Sequence, residues 1–99
     1  MHVISRKRLL EFSQIYADAS LSLDNWYRIA TKASWKYLDE VRQDFSSAEA
    51  VGNFTVFNIK GNDYRLIVGI DYEEQVIYIK YILTHAEYDK DKWENAPYY

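Results

Sequence analysis

Between Asn53 and Tyr88 apolar residues recur at every second position, in three runs: Phe54–Ile59, Tyr64–Asp71 and Val76–Leu83. A period of two predicts strands, because successive side chains of a strand point to opposite faces. The runs are separated by Lys60-Gly61-Asn62-Asp63 and by Tyr72-Glu73-Glu74-Gln75, both polar and short enough for hairpins. Gly-Asn is a turn pair, since both residues tolerate positive φ. A two-residue turn at Gly61-Asn62 sets Ile59 opposite Tyr64, Asn58 opposite Arg65 and Val56 opposite Ile67. Centring the next turn on Glu73-Glu74 sets Ile70 opposite Ile77, Val68 opposite Ile79, Ile67 opposite Lys80 and Arg65 opposite Ile82.

Pleat parity then sorts the side chains. One face collects Thr55, Phe57, Ile59, Tyr64, Leu66, Val68, Ile70, Ile77, Ile79, Tyr81 and Leu83, which is a core. The other collects Asn58, Arg65, Gly69, Tyr78 and Lys80 among Phe54, Val56, Ile67 and Ile82. Two cations and an amide in mid-sheet, with Thr84 and His85 just past its end, have the look of a site.

Upstream the period changes to that of a helix. His2 to Ile4 reads as a short edge strand, and Ser5 as the N-cap of a helix to about Ala17, with Leu9, Phe12 and Tyr16 on one stripe. Ser20-Leu21-Ser22 is capping chemistry for a second helix over roughly Leu23 to Ser34, burying Leu23, Trp26, Tyr27, Ala30 and Ala33 on the apolar sheet face. Trp35, Leu38, Val41 and Phe45 suggest a third helical piece before Ser46-Ser47. After the last strand, Thr84-His85-Ala86-Glu87-Tyr88-Asp89 begins either a short helix capped by Thr84 or a turn. The fold class is α+β: N-terminal helices on one face of a small antiparallel sheet of three to four strands.

The 99 residues make one domain, 1–99, with an acidic, frayed tail from about residue 90. No cysteine is present, so neither disulfides nor thiolate metal sites are expected, which fits a reducing cytosol. MHVISRKR lacks the apolar run of a signal peptide, and no apolar stretch approaches the length of a membrane span. A cytoplasmic protein without a membrane partner is therefore expected. The net charge of −3 argues against a generic nucleic-acid binder, yet residues 1–43 carry seven cations against five acids, while the remainder carries five against ten. Arg6, Lys7 and Arg8 open the first helix, where cations oppose the helix dipole. The plain reading is a solvated turn; the functional one is a phosphate-attracting patch beside free backbone N–H groups.

The two histidines stand at opposite ends of the sequence, with no carboxylates at ligand spacing beside either, and no glycine-rich phosphate loop or Ser-His-Asp pattern occurs. No metal and no cofactor are expected. Arg65 and Lys80 remain, with His85, Tyr88, Asn58, Lys60 and Asn62 near them. Cations with a histidine and a tyrosine suit RNA cleavage without metal. A base deprotonates the 2′-hydroxyl, that oxygen attacks the adjacent phosphorus, an acid protonates the departing 5′-oxygen, and fixed cations stabilise the phosphate charge. Taken singly, Lys80 is a solvated cation, His85 a hydrogen-bonded structural residue, and Asn62 turn chemistry. Their convergence carries the functional reading. The competing class is a non-catalytic interaction module whose polar sheet face binds a partner protein.

The run Val56-Phe57-Asn58-Ile59-Lys60-Gly61-Asn62-Asp63-Tyr64-Arg65-Leu66, followed after the next strand by Thr84-His85-Ala86-Glu87-Tyr88-Asp89, resembles the HigB group of type II toxin–antitoxin toxins, relatives of RelE. Trp35 and the opening Met-His-x-Ile also look like that group, so the resemblance reaches about Asp89. It implies a RelE-like fold, an active face opposite the helices, and cleavage of mRNA, usually on the translating ribosome. It further implies neutralisation by a cognate HigA-like antitoxin with a helix-turn-helix. Carried over, the matching positions are Asn58, Lys60, Asn62, Arg65, His85 and Tyr88; Lys80 comes from the face argument alone. Arg65, Lys80, His85 and Tyr88 are the expected catalytic residues, and Asn58, Lys60, Asn62, Arg6 and Arg8 the expected RNA contacts. The net negative charge and acidic tail depart from the usual basic members of the group.

Overall fold

The computed structural model describes residues 1–90. In chain order it runs β1 (His2–Ile4), α1 (Arg6–Ile15), a 3-10 turn (Ala17–Ala19), α2 (Ser20–Lys32), α3 (Leu38–Asp44), β2 (Glu49–Val51), β3 (Phe54–Ile59), β4 (Tyr64–Asp71), β5 (Val76–Thr84) and α4 (His85–Asp89). The strands form one sheet in the order β1-β5-β4-β3-β2. The expected α+β architecture is present, with two corrections. The sheet has five strands, and it is mixed, because β1 pairs in parallel with β5. The fifth strand, β2, is only Glu49–Val51, too short to leave a periodic signal.

The helices cover one sheet face. Leu9 and Phe12 of α1 and Leu23, Trp26 and Ala30 of α2 are buried with Phe57, Ile59, Leu66, Val68, Ile77 and Ile79. Burying each of the larger side chains is worth about 1.5–3 kcal/mol. Trp26 meets Phe57 edge-on at 5.4 Å between centroids. Trp35 precedes α3 instead of lying in it, stacks on Phe57 and donates its indole N–H to Asp44 Oδ2 at 2.8 Å. Ser20 and Ser22 lie within the first turn of α2, not before it, because the 3-10 turn leads straight into the helix with Ala19 at the N-cap. Ser5 occupies the N-cap position of α1, but its side chain makes no capping bond. No helix among the described residues is long and apolar enough to cross a membrane.

The β3–β4 register is the expected one, with Asn58 opposite Arg65 and Ile59 opposite Tyr64. The β4–β5 register is as expected only for the half near the turn, where Ile70 faces Ile77 and Val68 faces Ile79. Then β5 takes in an extra residue at Lys80, between Ile79 and Tyr81: Ile67 faces Tyr81 and Arg65 faces Leu83. A bulge of this kind reverses face assignment for everything beyond it. Tyr81 and Leu83 therefore join Phe54, Val56 and Ile67 on the face away from the helices, while Ile82 packs toward the main core. That overturns the expected placement of all three. The bulge is anchored from the helical layer: β1 ends at Ile4, and beyond it Arg8 Nη1 donates to the carbonyls of Ile79 at 3.3 Å and Lys80 at 2.7 Å.

Candidate active site

The β3–β4 turn organises the site. Lys60 and Gly61 take positive φ, 51° and 63°, and the Asp63 N–H closes the turn on the Lys60 carbonyl at 3.2 Å. The left-handed pair is thus one residue earlier than Gly61-Asn62. Glycine suits such a conformation, whereas lysine adopts it at a cost. The consequence is chemical: Asn62 is left to present both its backbone carbonyl and its side-chain oxygen to β4.

Arg65 uses both. Its Nη1 donates to the carbonyls of Asn62 (3.0 Å) and Tyr64 (3.2 Å), and its Nη2 donates to Asn62 Oδ1 at 2.7 Å. The side chain is only 9 % exposed, so these bonds form where water competes poorly. Among the described residues no carboxylate pairs with it. A buried cation held by neutral oxygens keeps its field, which an adjacent carboxylate would cancel.

His85 sits at the same turn. Helix α4 starts there because Thr84 forms a capping box: the Glu87 N–H donates to Thr84 Oγ1 at 3.2 Å and the Thr84 N–H to Glu87 Oε1 at 3.0 Å. The His85 N–H donates to the Asp63 carbonyl at 3.0 Å. On its ring, Nδ1 lies 3.0 Å from the Asn62 carbonyl and 3.3 Å from Arg65 Nη2, and Nε2 lies 2.9 Å from Asp89 Oδ2. A carbonyl only accepts, so the shorter Nδ1 contact is an N–H donating to Asn62. Tyr88, on the next residues of α4, places its ring 5.4 Å from the Arg65 guanidinium carbon. Asn62, Arg65, His85 and Tyr88 are therefore one cluster at the end of β4 and β5.

The other expected residues are elsewhere. Asn58 is exposed and opposite Arg65 in the register. Lys80 lies on the same face toward Gly69, with its ammonium 5.4 Å from the Tyr78 ring centre. Lys80 and Arg8 also line a groove of about 360 Å³ between α1 and β5, with Glu11 and Glu87 among its walls. Arg8 donates to the bulge carbonyls and Arg6 stacks on Tyr27 at 4.3 Å, while both, with Lys7, remain exposed at the start of α1. Lys60 turns to the helical layer, where its Nζ meets Asp18 Oδ2 at 2.8 Å. Tyr64 donates its hydroxyl to Asp18 Oδ1 at 2.6 Å. Lys60 and Tyr64 together hold the Asp18 carboxyl below its ordinary pKa. The bond to Asp18 raises the Lys60 ammonium and pushes the Tyr64 phenol up to about 12.

Two acids missing from the expected set thus touch this assembly. Asp89 was findable, since His85 and Asp89 are four apart on a helix and such pairs meet. Asp18 was not, because its partners lie more than forty positions away.

A family model described as HigB toxin, RelE-like toxic component of a toxin–antitoxin system, matches residues 19–91. The chain belongs to the HigB family. Among curated proteins it is 29 % identical over 93 residues to the mRNA interferase HigB of Escherichia coli O6:H1, covering 91 % of this chain and 90 % of that protein. It is 28 % identical over 92 residues to the mRNA interferase toxin HigB of Escherichia coli K12, covering 90 % and 88 %. The Shigella flexneri mRNA interferase HigB matches to the same extent. The match to the HigB model spans the turn, β4, β5 and α4, and so includes every member of the Asn62–Arg65–His85–Tyr88 cluster.

Proposed function

We propose that this HigB-family toxin is an endoribonuclease that cleaves mRNA, chiefly on the translating ribosome, and that a helix-turn-helix antitoxin encoded beside it neutralises it. The observation that carries the reading is the convergence of Arg65, His85 and Tyr88 on one turn, in a chain similar over nine-tenths of its length to proteins named mRNA interferases.

The chemistry needs no metal, because RNA carries its own nucleophile. One of His85 and Tyr88 removes the 2′-hydroxyl proton and the 2′-oxygen bonds to phosphorus. The bond from phosphorus to the 5′-oxygen breaks, and the other residue supplies that oxygen with a proton. The products are a 2′,3′-cyclic phosphate and a free 5′-hydroxyl. Arg65 contributes a fixed positive field beneath the phosphate and holds Asn62, whose carbonyl orients the ring of His85; a positioned cation of this kind is worth roughly two orders of magnitude in rate. Lys80, on the same face, meets the flanking phosphates, and Asn58 the exposed edge of the strand. Cytoplasmic action follows from the substrate.

The test is induced expression with 5′-end mapping of transcripts for wild type, Arg65→Ala and His85→Ala, alongside cleavage of purified and ribosome-bound message in the presence of a chelator. New 5′-hydroxyl ends that vanish in both variants and persist with chelator support the reading. Unchanged growth inhibition and unchanged ends in both variants refute it. One observation favours the interaction module: three donor bonds of Arg65 and both ring nitrogens of His85 are already engaged within the protein. That reading requires wild type to bind its partner while leaving every transcript intact.

A further inference from the structure

We propose that Asp18 is a positioning residue for the cluster, acting from the helical layer through the β3–β4 turn. The inference rests on the ribonuclease reading for its kinetic consequence, though not for its structural one.

The turn is gripped from two sides. On the sheet-end side it offers Asn62 O and Oδ1 to Arg65, Asn62 O to the His85 ring, and Asp63 O to the His85 N–H. On the helix side both of its ends converge on one carboxylate. Asp18 Oδ2 meets Lys60 Nζ, the residue that opens the turn, and Asp18 Oδ1 accepts from Tyr64, the residue that follows it. Asp63 adds a weaker contact to the same ammonium, 3.7 Å. Asp18 lies in the 3-10 turn joining α1 to α2, so it is fixed by the helices and not by the sheet. The neighbouring rings tighten the link: Tyr64 packs against Phe12 at 5.4 Å and Tyr16 at 5.5 Å.

The clamp matters because Lys60 holds positive φ, a conformation that a non-glycine residue keeps only when its surroundings enforce it. Release Lys60 and Tyr64, and the turn can relax toward backbone angles that lysine prefers. The Asn62 carbonyl then moves, and with it the shared acceptor of Arg65 and His85. Neither Asp18 nor Lys60 touches the cluster itself. Their effect is geometric.

The test compares wild type, Asp18→Asn, Asp18→Glu, Lys60→Met and Tyr64→Phe as full chains. Cleavage of ribosome-bound message is followed by kcat and KM, and the His85 and His2 imidazoles by NMR. Asp18→Asn should lower kcat about tenfold with KM within about twofold, since sub-ångström misplacement of reacting groups acts on the chemical step. Asp18→Glu should restore most of the loss. The His85 ring signals should shift in Asp18→Asn while those of His2 stay put, and Lys60→Met and Tyr64→Phe should each reproduce part of both effects. A lowered melting temperature with kcat and His85 signals unchanged overturns the proposal. If Asp18→Asn does not fold, the Lys60→Met and Tyr64→Phe pair decides by the same criteria. If wild type and Arg65→Ala cleave nothing alike, the ribonuclease reading fails, and the His85 signals still decide whether Asp18 positions the ring.

Discussion

Arg65→Ala is the most informative single change, because the structure gives it a stability cost as well as a catalytic one. The guanidinium makes three bonds to Asn62 and Tyr64 oxygens and a fourth contact to the His85 ring, in a side chain 9 % exposed. Each hydrogen bond is worth about 1 kcal/mol net, and more where the donor is charged. The stem adds packing, while relief from burying a cation offsets part of the total. The net loss should be about 2–4 kcal/mol. For a domain of this size that lowers the melting temperature by roughly 10–25 °C. Arg65→Lys should recover little, since Nη1 and Nη2 bond different oxygens and a single ammonium nitrogen cannot stand at both positions. The assay is denaturant unfolding followed by circular dichroism, with RNA cleavage measured at a temperature where each variant is folded. Cleavage should fall at least about a hundredfold in Arg65→Ala. Unfolding within about 1 kcal/mol of wild type, with Arg65→Lys indistinguishable from it, would refute the view that this guanidinium holds the turn together.

Three further outcomes follow from the same geometry. Thr84→Ala removes the capping box of α4 and should cost about 1 kcal/mol, with a disproportionate drop in cleavage because His85 and Tyr88 ride on that helix; equal kinetics by the same RNA assay would separate α4 from the site. Arg8→Met leaves the Ile79 and Lys80 carbonyls without their donor and should destabilise by about 1–2 kcal/mol, with hydrogen exchange accelerated in β5 beyond Tyr78 and not in β3. The pH dependence of stability should carry the signature of Asp18. Its folded-state pKa is lowered, so its contribution is complete above about pH 4 and fades as acid protonates it. Lys60 and Tyr64 are raised, so theirs persist below about pH 10 and fade above it. Asp18→Asn should flatten both limbs of the melting temperature against pH, and a variant profile parallel to wild type would contradict the ion-pair assignment.

Much of this protein was legible in the sequence, for identifiable reasons. Strand alternation from Phe54 onward, the helical stripes of Leu9, Phe12, Leu23, Trp26 and Ala30, and the capping pattern at Thr84 are local signals. Burial and backbone hydrogen bonding read such signals directly. The 60–66 turn and the Thr84–Asp89 motif also sufficed to name Asn62, Arg65, His85 and Tyr88, which the fold brings together. Tertiary structure decided what local pattern cannot encode. An extra residue in β5 sent Tyr81 and Leu83 to the opposite face from the one their alternation implied, because parity is conserved only while the ladder is unbroken. It turned Lys60 toward Asp18 and Arg8 toward the bulge, since a charged side chain settles on whichever partner the packed layers bring within reach. Sequence fixes the period of a strand and the chemistry of its residues. Which charges meet across forty positions is set only when the layers close.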